Sequence, residues 1–124
     1  MEKTHSFRDL IVWQKAHQFV LAIYNATKQF PKEEIFALTS QVRRAAISIA
    51  ANISEGHKKK TIPNQLNYLN ISEGSLEEVK YYLILAKDLN YIDNTTFERL
   101  SNSADEVGRL INGYEKAISS RLKP

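Results

Sequence analysis

The sequence predicts an all-α protein: an antiparallel up-down-up-down bundle of four helices in a single domain spanning residues 1–124. Three observations predict it. Apolar residues recur at steps of three and four in four separate stretches, the period of an amphipathic helix. The connections between those stretches are short, as helices that return along their neighbours require. A chain of 124 residues is also long enough to bury one sizeable core.

The first helix is expected from Phe7 to Phe30, with Trp13, Ala16, Val20, Ile23, Thr27 and Phe30 along one side and Pro31 closing it. After the connection Lys32–Ala37 comes the stretch around which the chain is organised, Leu38 to Gly56. Its apolar side carries Val42, Ala45, Ala46, Ile49 and Ile53. A separate polar stripe of Gln41, Arg44, Ser48, Asn52 and Glu55 occupies an arc of about 80° at the usual ~100° per residue. Ser and Asn are mediocre helix formers that a free surface does not need, so the stripe is expected to be partly buried in a hydrogen-bonded network. In that network Arg44 faces Glu73, Glu77 or Glu78, and Lys15 faces Glu55.

Gly56 is expected to end this helix, and His57-Lys58-Lys59-Lys60 forms a basic loop. Thr61-Ile62-Pro63 restarts the chain with an N-cap and an early proline. The third helix, from about Ile62 to Asn90, has two seams. Leu69, Ser72, Leu76, Val79, Leu83 and Ala86 serve the core. The second seam, containing Ile71, Ser75, Glu78, Tyr82, Leu85 and Leu89, exceeds what a small monomer needs, which assigns Ile71, Tyr82, Leu85 and Leu89 to an oligomer interface. Beyond Tyr91–Asn94, Thr95 and Glu98 have capping-box spacing. Phe97, Leu100, Ala104, Val107, Ile111, Tyr114 and Ile118 then mark a fourth helix.

The pentapeptide Asn-Ile-Ser-Glu-Gly occurs at both 52–56 and 70–74. Context separates the copies: Gly56 is expected at a helix end, and Gly74 inside a helix, where its presence suggests close packing.

Composition excludes several functions. There are no cysteines, so neither a disulfide framework nor a thiolate metal site is possible. No signal-like segment and no run of ~18 apolar residues is present, making a cytoplasmic protein without membrane contact the expectation. His5, His17 and His57 lack the Glu-x-x-His pairing of di-iron bundles, so no metal and no cofactor is expected. Glu55, Glu73 and Glu78 are expected in structural ion pairs; no residue is assigned a catalytic role, and a hydrolase ranks last among the readings. The formal net charge is +3. The remaining signal is basic: Lys58, Lys59 and Lys60, extended by Arg43, are candidate phosphate contacts.

A family resemblance rests on Phe7, Leu10, Trp13-Gln14-Lys15-Ala16, Tyr24, Phe30-Pro31, Glu34, Leu38-Thr39, Gln41, Arg44-Ala45-Ala46, Ser48-Ile49, Asn52-Ile53, Glu55-Gly56, Gly74-Ser75 and Glu78. This pattern resembles the 23S rRNA intervening-sequence proteins, small bacterial four-helix bundles. The resemblance implies a homopentamer without catalytic residues. It also implies kinship with the accessory variability determinant protein of diversity-generating retroelements, a basic pentamer that binds nucleic acid and a reverse transcriptase. Ser54 and His57–Lys60 depart from the family pattern, which has a small apolar residue at the first position and a turn containing Gly-Arg at the second.

Together these readings lead to a non-enzymatic homo-oligomer, pentameric by resemblance. Its expected partners are itself, RNA or DNA, and a nucleic-acid-processing protein. The rival is a protein-binding scaffold whose polar stripe specifies assembly and whose lysines serve solubility.

Overall fold

The computed structural model describes residues 6–122. His5, and the ends of the expected 1–124 domain, lie outside them. Among the described residues there are four α-helices and no strands: α1 (Ile11–Thr27), α2 (Leu38–His57), α3 (Ile62–Asp88) and α4 (Asn94–Ser119), with short 3-10 turns at Phe7–Asp9, Lys32–Glu34 and Ser120–Leu122. α1 packs on α2 and α4, and α3 packs on the same two helices. One hydrophobic cluster draws on all four, including Phe19 and Ile23, Ile49 and Ile53, Leu69 and Val79, and Leu100 and Ile111. Burying each of these larger side chains is worth roughly 1.5–3 kcal/mol, which makes the periodic faces the main source of helix stability.

The helix ends follow local chemistry more closely than periodicity. α1 begins at Ile11 because Ser6 caps a separate 3-10 turn, its hydroxyl accepting from the Arg8 N–H at 3.1 Å, and Leu10 is extended. α3 starts as expected, with the Thr61 hydroxyl accepting from the Asn64 N–H and a proline in the first turn. It ends where Asn90 turns left-handed, at φ 64°, and the Tyr91 N–H reaches back to the Ala86 carbonyl at 2.8 Å. Asparagine tolerates that conformation better than other side chains.

At α4 the expected Thr95–Glu98 capping box gives way to Asp93, whose carboxylate accepts from the Thr96 N–H at 2.8 Å. That bond holds the Asp93 carboxyl below its usual range. An ionised carboxylate is a strong acceptor at the positive end of a helix, so the chain starts the helix two residues earlier.

α2 and α3 meet through small polar residues. Ser72 is fully buried and donates to the Ile49 carbonyl at 2.9 Å. Ser75 donates to the Ser48 hydroxyl at 2.8 Å, and the Asn52 amide donates to both the Ser48 carbonyl and hydroxyl. Small side chains bring the two backbones close, and each buried hydroxyl has its partner.

The two copies of the pentapeptide also separate, though not entirely as expected. Gly74 lies inside α3, but a Cβ there would meet nothing within 4 Å. The close approach is at Gly56. It is buried within the last turn of α2 without a positive φ, and a Cβ there would sit 2.9 Å from the Tyr68 Cβ. Interhelical contact with α3, rather than backbone freedom, therefore explains Gly56. Gly74→Ala should raise stability by about 0.5–1 kcal/mol, the helix-propensity gain. Gly56→Ala should lower it by about 1–3 kcal/mol, through overpacking against a Cβ that cannot swing away. Urea denaturation of the two variants checks the opposite signs.

Candidate nucleic-acid interface

The basic loop is fixed at both ends. The Lys58 N–H donates to the Glu55 carbonyl at 3.2 Å and the Lys59 N–H to the Gly56 carbonyl at 3.1 Å, closing α2. From α3, the Gln65 side-chain amide donates to the Lys59 carbonyl at 3.1 Å. The three lysines consequently differ. Lys58 and Lys60 are exposed, whereas Lys59 is half-buried with its ammonium 4.8 Å from the centre of the Tyr68 ring. The cations lie at the C-terminal end of α2, where the helix dipole favours positive charge.

Beside the loop, the His57 Nδ1 lies 3.4 Å from the Tyr114 hydroxyl of α4. Burial raises the Tyr114 hydroxyl, and the charge of nearby Arg121 partly offsets it, which places Arg121 at the same end of the molecule. A cleft of about 400 Å³, mainly apolar, opens between Phe7 and the end of α2; Ser54, Glu55, His57, Lys58 and Lys59 also line it.

Arg43 does not join this group. It precedes Lys58 by fifteen residues, roughly 22 Å along a helix. Its Nε donates to the Thr27 hydroxyl at 2.8 Å and its guanidinium lies 4.6 Å from the Tyr24 ring centre. Arg43 clamps α1 to α2, so the expected extension of the lysine patch through it is corrected.

The expected network along the polar stripe is also corrected. Its middle, Ser48 and Asn52, is half-buried and bonded to Ser75. Gln41, Arg44 and Glu55 are exposed. Glu78 accepts from the Tyr82 hydroxyl at 2.7 Å, and Lys15 lies 3.8 Å from Glu106 on α4 rather than against Glu55. Glu73 turns to α4. Five residues separate it from Glu78, about 140° around a helix, so the two acids cannot serve one partner on α2.

On α4, Glu73 meets Glu115, which the sequence reading did not single out. Burial, then the Glu73 charge and a hydrogen bond with its carboxyl, raise Glu115 to about 7. Glu115 therefore keeps a proton to higher pH than an ordinary carboxyl. Because the folded value lies above the ordinary carboxylate value, the folded state binds more protons between about pH 4.5 and 7, and stability falls as pH rises through that window. Glu115→Gln should remove that fall and stabilise the protein at pH 8 by about 1 kcal/mol, a figure reduced for solvent screening. Thermal melts at pH 5 and pH 8 check it. Among the described residues, no group of three His, Cys, Asp or Glu is placed to hold a metal ion.

The second seam of α3 is partly covered within the chain: Ser75 bonds Ser48, and Tyr82 and Leu85 pack against the core. Ile71 and Leu89 are each 45% exposed, while Tyr82 and Leu85 are half-buried. At the Leu89 end, Phe36 projects from the α1–α2 connection with 94% of its surface exposed. That connection is tied to the residue after Asn90, since Glu34 accepts from the Tyr91 hydroxyl at 2.8 Å. Among the described residues, no helix is long and apolar enough to cross a membrane.

The chain matches the family model described as 23S rRNA-intervening sequence protein over residues 8–113. A solved structure from Bacteroides thetaiotaomicron, described as a protein of unknown function from the S23 ribosomal protein family, is similar in fold and sequence. The TM-score is 0.79 and the identity 28%, over 86% of this chain and 99% of that one. A comparison with curated proteins gives no significant match.

Proposed function

Because the chain belongs to the 23S rRNA-intervening sequence protein family, we propose that it is a non-enzymatic, self-associating accessory protein of the cytoplasm that binds nucleic acid through its Lys58–Lys60 end. The observation that carries this reading is the fixed basic loop, with Lys58 and Lys60 extended into solvent from a backbone anchored by Gln65. Lysines held in one place can contact phosphates with less ordering cost than lysines on a mobile tail.

Four helices run up and down in sequence in this reading, as one domain. Support comes from the contacts between α2 and α3, where Ser48 meets Ser75, Ile49 meets Ser72 and Gly56 meets Tyr68, so that one residue number falls as the other rises. Copies associate through the α3 seam and Phe36. Five subunits follow the resemblance, and closure into a ring would repeat the basic loop around an axis. A nucleic-acid-processing protein is a further partner of such an assembly.

Two measurements test this. Light scattering at micromolar concentration should give a mass near five times the 14.2 kDa chain. An electrophoretic shift of structured RNA or duplex DNA should be present at ~50 mM salt and strongly weakened at ~200 mM. A monomer would overturn the first part, and no shift at low salt would overturn the second. The rival scaffold reading gains support from the exposed Arg44 and Glu55, which are placed to pair with a protein partner. It takes the lead if the protein assembles but binds no nucleic acid.

A further inference from the structure

The cleft beside the basic loop has a chemistry that phosphate binding alone does not use. Its volume is about 400 Å³ and its lining mainly apolar, with Phe7 on one side and the end of α2 on the other. The Phe7 ring is held edge-on against Trp13, with centroids 4.9 Å apart, so this wall is set before any ligand arrives. Lys58 and Lys59 stand at the same cleft, with Lys60 following. Among the described residues, Glu55 is the carboxylate that lines it, and an ionised carboxylate accepts hydrogen bonds without donating any.

An open hollow whose exposed surface is mainly apolar, bordered by cations, fits a flat heterocycle attached to phosphates. It is too small for a helix or a duplex, and paired bases would have to be pulled from their stack to enter. Unpaired bases carry no such cost, and stacking on an aromatic wall is tolerant of sequence. Glu55 adds a preference where it meets the exocyclic group at C4, because an acceptor pairs with the amino group of cytosine there and is repelled by the uracil carbonyl, which leaves uracil only its N3–H to donate.

Resting on the nucleic-acid reading above, we propose that this cleft receives one unstacked base of a single-stranded nucleic acid whose flanking phosphates lie on Lys58 and Lys60, and that Glu55 favours a base carrying an exocyclic amino group. The site thus discriminates single strands from duplexes, which the lysines alone do not.

The test is fluorescence anisotropy at ~50 mM salt with labelled ten-nucleotide oligo(C) and oligo(U) RNA and a ten-base-pair duplex. The native protein is compared with Ser54→Leu, which fills the cleft and leaves the lysines in place, and with Glu55→Gln. Thermal melts establish that each variant is folded. The native protein should bind oligo(C) roughly tenfold more tightly than oligo(U). Ser54→Leu should weaken oligo(C) binding about tenfold and leave the duplex unchanged. Glu55→Gln, which can both donate and accept, should bring the two oligonucleotides to within about twofold of one another. If Ser54→Leu affects single strand and duplex alike, or neither, the base-binding cleft is wrong while phosphate binding stands. If an unchanged oligo(C) preference survives Glu55→Gln, the role of Glu55 is wrong. If the native protein binds none of the three, the cleft and the nucleic-acid reading fall together.

Discussion

Replacing Lys58, Lys59 and Lys60 together by alanine should abolish most of the salt dependence of nucleic-acid binding. Phosphate contacts from Lys58 and Lys60 correspond to a slope of about −1.8 in log affinity against log salt on duplex DNA, or roughly a 12-fold loss of affinity per subunit between ~50 and ~200 mM. The triple variant should lose that part of the slope. The structure further ranks the three. Lys58 and Lys60 are exposed, so each single alanine substitution should reduce the slope by about 0.9. Lys59 is half-buried over Tyr68, and its ammonium would have to leave the ring to reach a phosphate, so Lys59→Ala should change the slope least. Arg43→Ala should leave the slope unchanged, because its guanidinium is engaged by Thr27 and Tyr24 far along α2. Titrations of one duplex at three or four salt concentrations measure the native protein and all five variants. Equal slopes for the native protein and the triple variant would remove the loop from the interface.

Phe36→Ser should weaken self-association while leaving the fold of the subunit as it is. With 94% of its surface exposed, Phe36 has almost no contact to lose within its own chain. Burying such a side chain against a neighbour is worth about 2–3 kcal/mol, which corresponds to roughly 30- to 150-fold in association at each interface. Leu89→Ser should act in the same direction and less strongly, since about half of its surface is already covered. The double variant separates the effects of assembly from those of folding. Light scattering across a dilution series reports the assembly, and urea denaturation of the dissociated protein reports the subunit. An unchanged mass for the double variant would move the interface away from the α3 seam.

Both experiments rest on features with different degrees of visibility in the sequence. The core side of every helix was legible, because Ile23, Ile49, Val79 and Ile111 occupy their positions by period and each is buried. So was the Thr61 cap, which depends on residues three apart. Asp93 was missed in favour of Thr95 although a carboxylate followed by three polar residues was a sufficient signal. The polar stripe was legible as a stripe but not as a set of partners. Ser48 and Asn52 have short side chains, so their bonds are decided by the helix they touch, and α3 supplies Ser75. Arg44 and Glu55 have longer reach and end in solvent. Tyr68 and Phe7, which shape the candidate site beside the lysines, gave no separate signal, because an aromatic residue near a helix start reads equally well as part of the core.

The sequence by itself determined that this is an all-helical chain with four amphipathic segments, that Gly74 falls inside a helix, and that a run of lysines joins the second segment to the third. These properties depend on neighbours within a few residues, where helical geometry is fixed by the backbone. Only the tertiary structure decided that Lys15 meets Glu106, that Arg43 clamps α1, that Glu73 faces Glu115, and that Gly56 is required by Tyr68. Those outcomes depend on how far each helix is rotated and shifted against the next. A shift of one residue turns a side chain by about 100°, so the partner of a long charged residue cannot be read from spacing along its own helix.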